Sequence, residues 1–201
     1  MYTDVVKDHF FNPRNVLWGD DSEWDKKADG VGTVGSGICG DMMKVWIKVD
    51  PETDRLGELK WKTYGCASAI ASTSMMSVMA TEDGGMTLEE AYRITPKSIM
   101  ERLGGLPDRK IHCSVLGDKA LRAAINDYFR RTGQEGRIVE KEATVICECL
   151  NITDNDIEEE VLEGVTDLDT LQKRTKICTG CGTCRPKVED LLGKLVEKYY
   201  G

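Results

Sequence analysis

The chain has 201 residues, 40% of them apolar, and a formal charge of −8. That is enough apolar material for one large or two small packed cores, which excludes a disordered chain. The acid excess is concentrated in residues 139–201, with 14 acidic against 8 basic side chains, and it argues against nucleic acid as a partner.

No run of eighteen apolar residues is present and the N-terminal stretch lacks the charged-then-apolar layout of a secretory signal. The expectation is a cytoplasmic protein with no membrane partner. In a reducing compartment, eight cysteines point to metal ligation or thiol chemistry rather than to a disulfide framework.

In chain order, residues 3–10 read as a short helix stopped at Asn12-Pro13, because proline disfavours helical geometry in the residue before it. His9 on this helix is expected to be solvated. A polar, Gly-rich passage continues to Asp41. Met43, Val45, Ile47 and Val49 then alternate with Lys44, Trp46 and Lys48, the period of a half-buried strand. A turn over 51–57 and a returning strand over 56–64 complete an antiparallel pair. Trp46 and Trp61 fall on these strands as core anchors.

Residues 66–80 are small or straight-chained with helical spacing at Ala67, Ile70, Ala71, Ser74 and Val78, and they place Cys66 at a helix start. Backbone N–H groups and the helix dipole there favour a thiolate. Short helices over 87–93 and 96–103 precede a Gly-Gly-Leu-Pro break. A longer amphipathic helix over 114–131 has Leu116, Leu121, Ala124, Ile125, Tyr128 and Phe129 as its apolar side, with His112 and Cys113 at its start.

Residues 132–137 have linker composition, so the domain boundary is placed near 138, giving domains 1–138 and 139–201. In the second, Thr153 can cap a helix over 154–163 and Thr166 or Asp167 one over 168–174, and Pro186 suits the first turn of a final helix. Glu158, Glu159 and Glu160 are expected on an exposed face.

The cysteines form two sets. Cys39 lies in Gly35-Ser-Gly-Ile-Cys-Gly-Asp41, where glycines permit close backbone approach; Cys66 follows Gly65, and Cys113 follows His112. With Asp41 they offer three thiolates, a carboxylate and an imidazole, more ligands than a tetrahedral ion needs. Such a surplus suits a site that loads and releases its metal. An isolated cytosolic cysteine is most often a small buried hydrophobe, but the glycine and histidine neighbours weigh against that here.

The second set is Cys147-Glu-Cys149 with Cys178-Thr-Gly-Cys181-Gly-Thr-Cys184. Four thiolates presented from two loops suit a [2Fe-2S] cluster or zinc equally well on spacing alone. A thiol oxidoreductase using Cys181 and Cys184 lacks the βαβ context such enzymes have.

GICGDMMKVWIKVD, KTYGCASAIASTS, KIHCSVL and the NPRN at 12–15 resemble the IscU family and the N-terminal domain of NifU, over residues 1–131. The Cys147 and Cys181 segments resemble bacterioferritin-associated ferredoxin and the central domain of NifU. The order corresponds to a shortened NifU without its third domain.

The resemblance implies an α+β fold, an IscU-like domain with an antiparallel sheet packed by helices, followed by a small helical [2Fe-2S]-binding domain. It implies a scaffold or carrier rather than an enzyme, one that receives iron and persulfide sulfur, builds a transient cluster and transfers it to apo-proteins. Cluster ligands at the first site would be Cys39, Cys66, Cys113 and either Asp41 or His112. Cys113 would accept persulfide from a cysteine desulfurase of NifS or IscS type, and Asp41 would keep the cluster labile.

At the second site Cys147, Cys149, Cys181 and Cys184 would hold a permanent [2Fe-2S] cluster, leaving Cys178 as a filler or incidental thiol. Zinc at the first site, making a sulfur acceptor, and a [2Fe-2S] electron carrier are the alternatives. Tyr2 and the N-terminal segment are candidates for homodimer contact. Leu106-Pro-Asp-Arg-Lys110 departs from the family's Leu-Pro-Pro-Val-Lys motif, which weighs against recognition by an Hsp70-type chaperone.

Overall fold

The computed structural model describes residues 2–35, 42–105, 112–138, 143–162 and 164–200, with backbone alone for 112–115. The chain divides into two compact units, Met1–Ile138 and Val139–Gly201. The architecture is α+β.

The first unit is built on a three-stranded antiparallel sheet in the order β1 (Gly30–Gly35), β2 (Met42–Asp50), β3 (Arg55–Thr63). The alternation along β2 works as expected on one face: Met43, Val45, Ile47 and Val49 enter the main core with Leu59 and Trp61 of β3. Against that face pack α3 (Ala67–Thr81) and α6 (His112–Arg131). The apolar side of α6 is the expected one, and Leu121, Ala124 and Ile125 are completely buried. Burying a leucine or isoleucine side chain in this way stabilises by about 2 kcal/mol.

Two elements inside the Gly-rich passage were not legible in the sequence, β1 and the short helix α2 (Ser22–Lys27). A Cβ on Gly30 or Gly32 would lie 2.2 Å or 2.1 Å from the carbonyl oxygens of Ala124 and Ala120. The helix therefore rests directly on β1, and the strand carries glycine where the usual strand signal would be a branched apolar residue. On the opposite face, Trp24 and Ala28 cover Trp46, so β2 is buried on both sides at that point. Trp46 Nε1 donates to Asp25 Oδ1 at 2.7 Å, and Lys44 Nζ pairs with the same carboxylate at 2.6 Å.

Helix α1 (Asp4–Phe11) packs on α3, and this corrects the expectation for His9. Its ring is buried, with Nδ1 2.8 Å from Ser74 Oγ, which also accepts the Arg14 backbone N–H at 2.9 Å. Burial, then the charge of Arg14, lowers the pKa of His9. The small side chains of α3 are what admit α1 so closely; Ser68, Ser72, Thr73, Ser74 and Ser77 are all buried. Helices α4 (Leu88–Tyr92) and α5 (Pro96–Arg102) each begin with a reciprocal capping box, on Thr87 and Thr95.

The stretch expected to be a linker is instead folded. Gly133 ends α6 at φ +69°, residues Glu135–Arg137 make one tight turn, and Arg137 reaches back to Asp54 at 2.6 Å. Ile138 packs against the first core. Linker composition here reflects helix-stop chemistry rather than a free tether.

The second unit has a small hairpin, β4 (Val145–Cys147) and β5 (Ile152–Thr153), and three helices, α7 (Asp154–Leu162), α8 (Leu168–Thr175) and α9 (Arg185–Tyr200). Thr153 accepts from the Asp156 N–H and Asp167 from the Thr170 N–H, so both expected caps are made, the second by Asp167. Ile157, Val161, Leu171, Ile177, Val188 and Leu192 form the core.

The glutamate run on α7 is only partly an exposed face. Glu158 accepts from Lys198 at 2.8 Å and from the Tyr199 hydroxyl at 2.6 Å, Glu160 pairs with Arg174 at 2.5 Å, and Glu159 alone of the three is exposed. The two half-buried carboxylates tie α7 to α9 and α8.

Candidate metal centre

The second unit gathers its five cysteines at one place. Cys147 closes β4, Cys149 lies in the hairpin turn after it, Cys178 follows α8, and Cys181 and Cys184 flank the turn that enters α9. Gly182 in that turn has φ +73°, a conformation glycine adopts without steric cost.

Cys149 Sγ stands 3.2 Å from Cys181 Sγ, and the Cys184 thiol donates to Cys147 and lies 3.4 Å from Cys178 Sγ. Cys147 and Cys184 are buried in the core, whereas Cys149 and Cys181 are exposed. Cys147, Cys149, Cys181 and Cys184 line one cleft of about 150 Å³, with Glu148 and Lys187 among its other walls. Among the described residues, no three histidine, cysteine or acidic side chains converge on a single ion-sized point. The cleft's thiols are arranged instead as two pairs, 149 with 181 and 147 with 184.

The environments of the thiols differ. Burial disfavours the Cys147 thiolate, yet the backbone N–H groups of Leu150 and Cys178, the Cys184 thiol and the Cys149 N–H outweigh it and lower its pKa. Hydrogen bonding from the Thr183 hydroxyl, then from its backbone N–H and from Cys149, brings Cys181 down to about 7. Cys149 is raised, chiefly through its contact with Cys181. Burial, then the contacts with Cys178 and Cys147, pushes Cys184 up to about 12. Backbone donors aimed at sulfur are what a thiolate-bound metal needs, and they are in place here. The donor set thus fits an iron-sulfur centre.

For the first unit, Cys39, Asp41 and the segment Leu106–Lys110 lie outside the described residues. Cys66 is the half-buried residue at the N-cap of α3, one position before the first turn that the sequence suggests. His112 and Cys113 are the first two residues of α6. Gly35 and Met42 are paired at one end of the sheet, and Tyr64, leaving β3 just before Cys66, donates its N–H to Met42 O. Residues 124 and 128 of α6 approach Gly30, and residue 120 approaches Gly32, so the helix runs antiparallel to β1 and begins toward that same end.

The NifU-like N terminal domain matches residues 1–135, and the BFD-like [2Fe-2S] binding domain matches residues 145–194. The chain belongs to the NifU-like N-terminal domain family. It is 51% identical over 140 residues to iron-sulfur cluster assembly scaffold protein IscU 1 of Archaeoglobus fulgidus, covering 70% of this chain and 84% of that protein. It is 36% identical over 197 residues to nitrogen fixation protein NifU of a Nostoc species, a match covering 98% of this chain and 64% of the relative's length. A solved NifU-like N-terminal protein from Brucella abortus, 17% identical, covers 64% of this chain and 94% of its own at a TM-score of 0.48. No helix among the described residues is long and apolar enough to cross a membrane.

Proposed function

We propose that this protein is an iron-sulfur cluster assembly scaffold with two iron sites of opposite character, a carrier rather than an enzyme with turnover. Residues 1–138 form the assembly domain, where a transient cluster is built on Cys39, Cys66 and Cys113 with Asp41 or His112. Residues 139–201 form the domain whose Cys147, Cys149, Cys181 and Cys184 hold a permanent [2Fe-2S] cluster. The pairing of four thiols along one cleft carries the second assignment, because two irons each take two protein thiolates.

At the first site the Cys113 thiolate attacks the terminal sulfur of a persulfide presented by a cysteine desulfurase. A new S–S bond forms on Cys113, the donor's S–S bond breaks, and the donor cysteine leaves as thiolate. Converting that sulfur to sulfide takes two further electrons, which a [2Fe-2S] centre on the same chain would relay one at a time from an external reductant. A carboxylate or imidazole ligand from Asp41 or His112 exchanges more readily than a fourth thiolate, which favours release of the finished cluster to recipient apo-proteins.

The test is anaerobic purification and reconstitution of the full chain with iron and sulfide, beside a Cys39, Cys66 and Cys113 triple alanine variant. The reading expects a visible iron chromophore that survives in the triple variant and vanishes in Cys147→Ala with Cys149→Ala added to it. Zinc at both sites in place of iron contradicts it.

A further inference from the structure

The second unit holds one thiol more than a [2Fe-2S] centre can use. Resting on the reading above, we infer that Cys178 is a reserve ligand that replaces Cys184 on its iron.

Cys178 Sγ lies 3.4 Å from Cys184 Sγ, close enough for a metal held by one to be reached by the other with a small side-chain rotation. Its own backbone N–H meanwhile hydrogen-bonds the Cys147 sulfur, so the residue is anchored against the site by its main chain. Cys178 adopts φ +62°, a left-handed conformation that costs a residue with a Cβ about 1 kcal/mol and costs glycine almost nothing. Lys176, two residues earlier, adopts the same conformation, so what sets Cys178 apart is its sulfur, held at the edge of the second core against Cys184.

Access also differs between the two. Cys184 is buried at 7% exposure, directly before α9 and on the cleft wall, whereas Cys178 is half-buried beside it. The exchange balances without an external reagent. The Cys178 thiol passes its proton to Cys184 across the S–S contact, the Fe–S bond to Cys184 breaks, and a bond from iron to the Cys178 thiolate takes its place. No electron moves. The consequence is a centre that keeps its iron when Cys184 is lost or modified.

The experiment uses the full chain with Cys39, Cys66 and Cys113 changed to alanine, so that colour reports the second unit. In that background Cys184→Ala, Cys178→Ala, the double variant and Cys181→Ala are reconstituted with ferrous iron and sulfide. Each is then examined by visible absorption, by electron paramagnetic resonance of the reduced form and by alkylation mapped with mass spectrometry. The expected result is a coloured Cys184→Ala protein with shifted resonance and Cys178 protected from alkylation, a Cys178→Ala protein like its parent, and a colourless double variant.

A Cys184→Ala protein as colourless as the double variant overturns the inference, and so does a coloured one in which Cys178 remains alkylatable. Circular dichroism checks folding, and Cys184→Ser serves in the same assay if alanine disrupts the unit. A parent protein that takes up no chromophore fails the assignment of the centre itself, which separates that outcome from the failure of Cys178 alone.

Discussion

A methyl group on Gly32 would stand 2.1 Å from the carbonyl oxygen of Ala120, so α6 and β1 touch backbone to backbone. Because α6 also carries His112 and Cys113 at its start, this contact sets where the start of that helix lies relative to the sheet. Gly32→Ala forces the helix away and is expected to cost about 3 kcal/mol, at the upper end of overpacking effects. All four tryptophans lie within residues 1–138, so fluorescence during urea unfolding follows this unit alone. Gly57→Ala is the control: its nearest neighbour is 3.8 Å away, and a midpoint shift as large as that of Gly32→Ala contradicts the packing argument.

Asp118 gives the first unit a pH dependence of defined sign. Burial pushes its pKa up to about 7, the Arg122 guanidinium 3.3 Å away and nearby backbone N–H groups offsetting only part of that, and Oδ1 has no hydrogen-bond partner among the described residues. A carboxyl with a raised folded pKa binds more protons folded than unfolded. Its stabilising effect is therefore complete below the unfolded value near 4 and is lost as pH rises toward 7, by at most about 1.4 kcal/mol per pH unit. Asp118→Asn should remove that slope and leave the protein more stable than wild type at pH 7.5, with the gain shrinking toward pH 4.5. Parallel curves for the two proteins over this range contradict the assignment.

Cys181 should be the most reactive of the five thiols in metal-free protein. Its thiolate is favoured first by the Thr183 hydroxyl, and its pKa of about 7 leaves roughly half of it ionised at neutral pH. Limited alkylation at pH 7 with mass-spectrometric mapping should label Cys181 ahead of Cys184, whose thiol is held protonated by burial. Thr183→Val should slow that labelling at pH 7 and have little effect above pH 9. Cys184 labelling first is the contradicting outcome.

Much of the fold was legible because its elements follow the ordinary periods. The alternation from Met43 to Val49 and the apolar side of α6 both enter the core as read, and Thr153, Asp167 and Pro186 mark their helix starts. Strand β1 was hidden because close packing put glycine at its inward positions. His9, Glu158 and Glu160 were misjudged for a common reason: a polar residue on a short helix reads as solvated until the partner that covers it is known. Those partners, Ser74, Tyr199 and Arg174, are 65, 41 and 14 residues away in sequence, beyond any local pattern.

The second site shows the same limit. The family resemblance, not the spacing, singles out four of the five thiols, and those four line the cleft. Cys178 reads as incidental in the sequence because it has no counterpart in the ferredoxin-like domain that the segment resembles, although its spacing from Cys181 equals that of Cys181 from Cys184. Its contact with Cys184 depends on a left-handed turn after α8, and no residue at 176 or 178 announces that turn, since neither is glycine.

The central claim is the contrast in how firmly the two halves hold iron. It is tested most directly by loading the full chain anaerobically and following iron release to a strong chelator with time. The account predicts two phases of comparable amplitude, a fast one that disappears when Cys39, Cys66 and Cys113 are replaced and a slow one that disappears when Cys147 and Cys149 are. A single phase, or a fast phase that survives the first set of replacements, contradicts it.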